Sequence, residues 1–175
     1  MRSTSLEGLP TDTTSGANGS VRFAIAQGAL VAQTVRPDAG RSTTHVLLRR
    51  PSALGYGEAA FTSTGGAVAT FTQVGRRAVL RAVDVDARGT VGAPQTLSSP
   101  NVRVLTRGPI EVGPTGAVAI PFDEQPTHDQ HVERFAFRPQ GSRTFNPSIE
   151  LKPGSDHSPT GFQVYLDGDG GGMLL

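Results

Sequence analysis

The chain has 175 residues, a mass of 18.2 kDa, a formal net charge of +1, no Cys and no Trp. That length suits one domain or slightly more and is enough to bury a core without staples. The lack of Cys excludes disulfides, thiol catalysis and Cys-ligated zinc, and the balanced charge removes any general electrostatic case for nucleic acid or an anionic membrane surface.

Residues 1–20 are mostly Ser, Thr, Gly, Asp and Asn and read as a disordered polar arm, with order beginning near Val21. The first residues carry one Arg and no apolar run behind it, which is not the pattern of a secretory signal. No segment approaches the roughly 20 apolar residues of a membrane-spanning helix.

Beyond the arm, short apolar runs alternate with turn residues. Candidate strands are 21–26, 29–35, 44–49, 58–62, 67–73, 78–85, 102–106, 117–122, 132–138 and 162–166. Pro37-Asp38-Ala39-Gly40 is a turn in which Pro presets φ and Gly tolerates positive φ. Arg76-Arg77 reads as the cap of a hairpin turn after Gly75. No segment holds a 3.6-residue apolar period for three turns, and 22 Gly with 13 Pro make up one residue in five. Short strands with Gly or Pro between them indicate an all-β fold. Only one of the 16 basic residues is Lys (Lys152), a bias that fits the codon usage of a high-GC bacterium or its phage.

The sequence also resembles itself. Gly65-Gly66-Ala67-Val68-Ala69 returns as Thr115-Gly116-Ala117-Val118-Ala119, with Gly66 and Gly116 placed 50 residues apart. The stretch from Arg81 to Leu97 resembles that from Arg134 to Leu151, including Gly89 with Gly141 and Pro94 with Pro147. Another copy of the Gly-turn and strand begins at Val164, and a degenerate one is read at Gln27–Ala32. A period near 50 with several strands per unit is the mark of a propeller-type array.

These units resemble the blade repeats of bacterial β-propeller proteins common in actinobacteria. The resemblance covers residues 55–175 and implies propeller-like blades of short antiparallel strands, with a β-sandwich as the alternative. Expected units are about 21–60, 61–110 and 111–160, followed by a truncated unit at 161–175. At about 50 residues per blade and four or more blades, the chain reads as a partial array. The sialidase Asp box is not met: Asp86 to Gly89 is one residue too long and lacks the aromatic, and Gly141–Phe145 lacks the Asp.

The densest set of potential metal ligands is His128 and His131 with Asp123, Glu124, Asp129 and Glu133 nearby, a pattern that zinc can use. Asp167 and Asp169 stand two apart in a Gly-rich loop, which suits calcium. Asp84 and Asp86 alternate along one strand and are expected on its solvent face. Phe23, Phe61, Phe71, Phe135, Phe137 and Phe162 read as core residues rather than a stacking platform, and Phe135 and Phe137 share a face.

No nucleophile elbow, P-loop, dinucleotide fingerprint or HExxH occurs. The expected function is a non-catalytic binding or scaffold module with recognition by loops such as 122–131. Its partner would be a protein or carbohydrate, with self-association through open sheet edges. The resemblance also admits a fragment of a larger carbohydrate-active propeller enzyme, or a phage or secreted structural β-protein that oligomerises. It admits an extracytoplasmic setting, set against the lack of a secretory signal pattern, and the compartment stays open.

Overall fold

The computed structural model describes residues 13–16, 19–26, 29–35, 42–49, 54–55, 58–74, 78–86, 88, 90–100, 102–153, 164–166 and 172–174. Among them there are strands and turns but no helix, so the all-β reading holds.

Strands β1 (Thr13–Gly16), β2 (Gly19–Ala26), β3 (Ala29–Val35) and β4 (Ser42–Arg49) form a four-stranded antiparallel meander in chain order. The second sheet is built from β5 (Leu54–Gly55), β6 (Ala59–Phe61), β7 (Ala67–Val74), β8 (Ala78–Val85) and β9 (Gln95–Thr96), with both β5 and β6 on β7. The third repeats that plan with β10 (Arg103–Arg107), β11 (Glu111–Val112), β12 (Val118–Thr127), β13 (Gln130–Arg138) and β14 (Ile149–Pro153). A two-stranded sheet pairs β15 (Val164–Leu166) with β16 (Gly172–Leu174). Among the described residues β14 is the last strand of its sheet, and its sequence includes Glu150, Lys152 and Pro153.

In both five-stranded sheets the edge beside the first long strand is split into two short strands at the same place. On β12 the break faces Pro121, which has no N–H to give; its carbonyl accepts from Gly108 N at 3.1 Å, and β10 and β11 pair on either side of it. On β7 the break faces Thr70, whose N–H donates to the Glu58 carbonyl at 2.7 Å while its Oγ1 accepts from Glu58 N at 3.2 Å.

The turns that follow are also alike. Thr62 N donates to Gly66 O and Gly65 N to Thr62 O, both at 2.9 Å; Gly113 N to Ala117 O and Gly116 N to Gly113 O repeat this at 2.9 Å. Gly65 (φ 80°) and Gly116 (φ 88°) hold the left-handed position that L side chains avoid. The glycines with one job are therefore Gly65 and Gly116, 51 residues apart, and not Gly66 and Gly116. Gly66 has another role: a Cβ there would lie 2.5 Å from the Val85 carbonyl oxygen.

Alternation along β7 buries both faces, from Ala67 through Thr72, so the second sheet lies between two layers. One layer is the third sheet. Val68, Leu80, Ala82 and Leu97 meet Val104, Ile110, Val118, Ile120, Phe122 and Ala136 in one apolar cluster. Strands of successive sheets are neighbours: β1 lies beside β6, β6 beside β11, and β11 beside β15.

Several expectations shift. The sequence reading put residues 1–20 in an unstructured arm, yet Thr13–Gly16 pairs with β2 from Thr13↔Arg22 to Gly16↔Gly19. A backbone ladder needs no apolar side chains, so polarity hid this strand. Sheet boundaries fall at 13–49, 54–96, 103–153 and 164–174 rather than at 21–60, 61–110, 111–160 and 161–175. The hairpin that corresponds to Phe61↔Ala67 in the first sheet closes at Gly16↔Gly19; Gln27 and Gly28, read as a degenerate Gly-turn, lie outside the described residues. Phe135 and Phe137 are half-buried, and the fully buried member of that strand is Ala136 between them.

Candidate functional site

The charged side chains that the fold brings together lie along the seam between the second and third sheets. On β12, Val118, Ile120, Phe122 and Glu124 share one face by the two-residue period, and the same alternation puts Arg134, Ala136 and Arg138 together on β13. This face meets the second sheet, so an apolar strip carries a charge at each end.

At one end Glu124 is fully buried. Its Oε2 lies 2.7 Å from Arg134 Nε and accepts from Ser99 Oγ at 2.9 Å, and its Oε1 accepts the Ser99 backbone N–H. The Arg134 contact is an ion pair whose N–H is not aligned as a hydrogen bond. Arg134 Nη2 also donates to Glu150 Oε2 on β14 at 3.1 Å. A buried carboxylate is costly unless paired and hydrogen-bonded, and here it has both kinds of partner. Ser99 follows β9, so Glu124 holds the connector between the two sheets.

At the other end Arg138 donates to Asp84 Oδ1 on β8, and its guanidinium carbon lies 5.6 Å from the centre of the Phe145 ring. Gln95 adds a second tie, donating from Nε2 to the Arg143 carbonyl at 2.7 Å and accepting from Phe145 N–H at Oε1 at 2.9 Å. One amide side chain thus serves an acceptor and a donor two residues apart, as a strand neighbour would.

The paired aspartates separate into two roles. Asp84 shares its face with Leu80 and Ala82 and points into the seam, not to solvent. Asp86 lies past the end of β8 and shapes the following turn: its Oδ1 accepts from Thr90 N at 2.8 Å and Arg88 N at 2.9 Å. The bond from Thr90 is the chief reason its carboxyl sits below the ordinary value of 3.8, against an opposing push from desolvation.

Of the sequence-derived metal candidates, His128 sits at the exposed tip of the β12–β13 hairpin, with Nδ1 3.0 Å from Asp129 Oδ1. The turn spans Thr127↔Gln130, which leaves His128 at the tip and His131 in the ladder, half-buried. Glu124, counted among their carboxylates, is turned to the seam. Among the described residues no three His, Asp or Glu side chains cluster as metal ligands. Asp167 and Asp169, the calcium candidates, lie outside the described residues, as do Arg76 and Arg77. Leu166↔Gly172 encloses five residues around the Asp pair, the same interval as Phe61↔Ala67 and Val112↔Val118.

The seam is faint in the sequence because its ties join residues that stand far apart along the chain. The available signal was a carboxylate on the apolar phase of a strand: Glu124 continues the Val118, Ile120, Phe122 series. No protein-family model matches this sequence, and no curated protein matches it.

Proposed function

We propose that the chain is a propeller-type array of sheets that serves as a non-catalytic binding or scaffold module for a protein or carbohydrate. The observation that carries this reading is a row of edge strands from successive sheets, β1 beside β6 beside β11 beside β15. Successive blades of a propeller share that relation around an axis. The register agrees: Phe23, Phe71 and Phe122 each stand four residues after the residue that closes the inner hairpin, Gly19, Ala67 or Val118.

The use of the seam charges supports binding rather than catalysis. Asp84, Glu124 and Glu150 are each engaged by an arginine. Recognition falls to exposed loops, first among them the β12–β13 hairpin, where the His128 and Asp129 side chains are 98% and 93% exposed.

A glycan array probed with the intact chain, run beside chromogenic glycosides, tests the proposal. Binding that weakens when His128 and Asp129 are both changed to Ala, without turnover, is expected. Glycoside turnover that survives this change and is lost on changing a seam carboxylate would overturn it.

A further inference from the structure

The two five-stranded sheets align through their hairpin closures. Phe61↔Ala67 matches Val112↔Val118, which sets β7 against β12 at 51 residues. Ala67↔Val85 then matches Val118↔Arg138, which sets β8 against β13 at 53 residues. Four positions then agree in type: Phe71 with Phe122, Gln73 with Glu124, Val79 with Val132, and Arg81 with Arg134. In each sheet the Phe faces the Arg directly across the ladder and the Gln or Glu faces the Val. The polar pair is therefore the diagonal one, within reach of long side chains.

In the third sheet this diagonal is the Glu124–Arg134 ion pair, and Glu124 also grips Ser99 of the entering connector. In the second sheet Gln73 Oε1 and Arg81 Nε are both buried, and neither has a hydrogen-bond partner among the described residues. A buried donor and a buried acceptor at matching positions, both without a partner among the described residues, are the frame of the same latch without its charge.

We propose that Gln73 and Arg81 are an open cross-strand latch at the positions of Glu124 and Arg134, which the single change Gln73→Glu closes. The substitution keeps the side-chain shape and swaps an NH2 for a carboxylate oxygen on the diagonal from a guanidinium whose Nε–H is already out of water. Both residues are only half-buried, so carboxylate desolvation is partial and the new attraction partly screened.

The test is thermal unfolding of Gln73→Glu alone and with Arg81→Met, beside Glu124→Gln alone and with Arg134→Met. At neutral pH, Gln73→Glu should raise Tm by about 2–4 °C, a gain that vanishes with Arg81→Met. Glu124→Gln should lower Tm far more with Arg134 present than with Met there. A Gln73→Glu chain that melts at or below the parent temperature, or does not fold, overturns the proposal. So does a gain that persists with Arg81→Met, or the absence of coupling between Glu124 and Arg134.

Discussion

Arg138 on β13 reaches across the seam to Asp84 on β8, so an ion pair joins the second sheet to the third beside the Phe145 ring. Arg138 is the more buried partner, which makes the two deletions unequal. Asp84→Ala leaves a guanidinium buried without its anion and should cost about 2 kcal/mol, less than the roughly 3–5 kcal/mol of a fully buried pair because Asp84 is partly exposed. Arg138→Met keeps an unbranched stem against Phe145 and should cost less, about 1 kcal/mol. Urea unfolding of both single variants and the double variant checks this, with a coupling of about 1 kcal/mol or more expected.

Gly66 and Ala117 occupy matching positions after their turns, yet only one can carry a methyl group. A Cβ at Gly66 meets the Val85 carbonyl oxygen, a backbone atom that cannot swing aside. Gly66→Ala should therefore cost about 1–3 kcal/mol, whereas Ala117→Gly should cost no more than about 1 kcal/mol. Denaturant midpoints compare the two directly.

Asp86 gives a pH dependence whose sign follows from its hydrogen bonds. Its folded-state value lies below the ordinary 3.8, so its contribution is present above that pH and fades as the pH falls through the lower folded value. Asp86→Ala should be less stable than the parent at neutral pH, and the gap should narrow in strong acid. Melting curves from neutral pH down through the carboxylate range measure it; a gap that widens in acid contradicts the assignment.

Gln95 spans the outer strand of the second sheet and the loop after β13 with two hydrogen bonds. Gln95→Ala frees the Arg143 carbonyl and the Phe145 N–H to water, so the loss should be about 1–2 kcal/mol. Hydrogen exchange should show faster exchange at the Phe145 amide while the β7–β8 ladder stays protected.

Much of the fold was legible because strand signals are local. Residues 29–35 and 78–85 were read with the bounds that the ladders show, helped by β-branched runs between turn formers. Short or polar strands gave no such signal: β5, β9 and β11 are two residues long, and β1 is Thr-Thr-Ser-Gly. Their existence is decided by the neighbour they pair with. The internal likeness was visible but one residue out at its first glycine, since Gly65-Gly66 offers two candidates and only the φ angle separates them. Least visible was the seam. Asp84 and Arg138 are 54 residues apart, and nothing near either one names the other.

The most direct test of the central claim, that successive sheets stand side by side with neighbouring inner hairpins, is a spin–spin distance measurement. A Cβ at Gly116 would stand 3.2 Å from Ser63 Oγ, so these turns touch. The chain contains no Cys, so nitroxides on Ser63→Cys and Pro114→Cys report that pair alone. A single narrow distribution at the short end of the measurable range is the predicted result. A long or broad distribution would contradict the side-by-side arrangement and the propeller reading built on it.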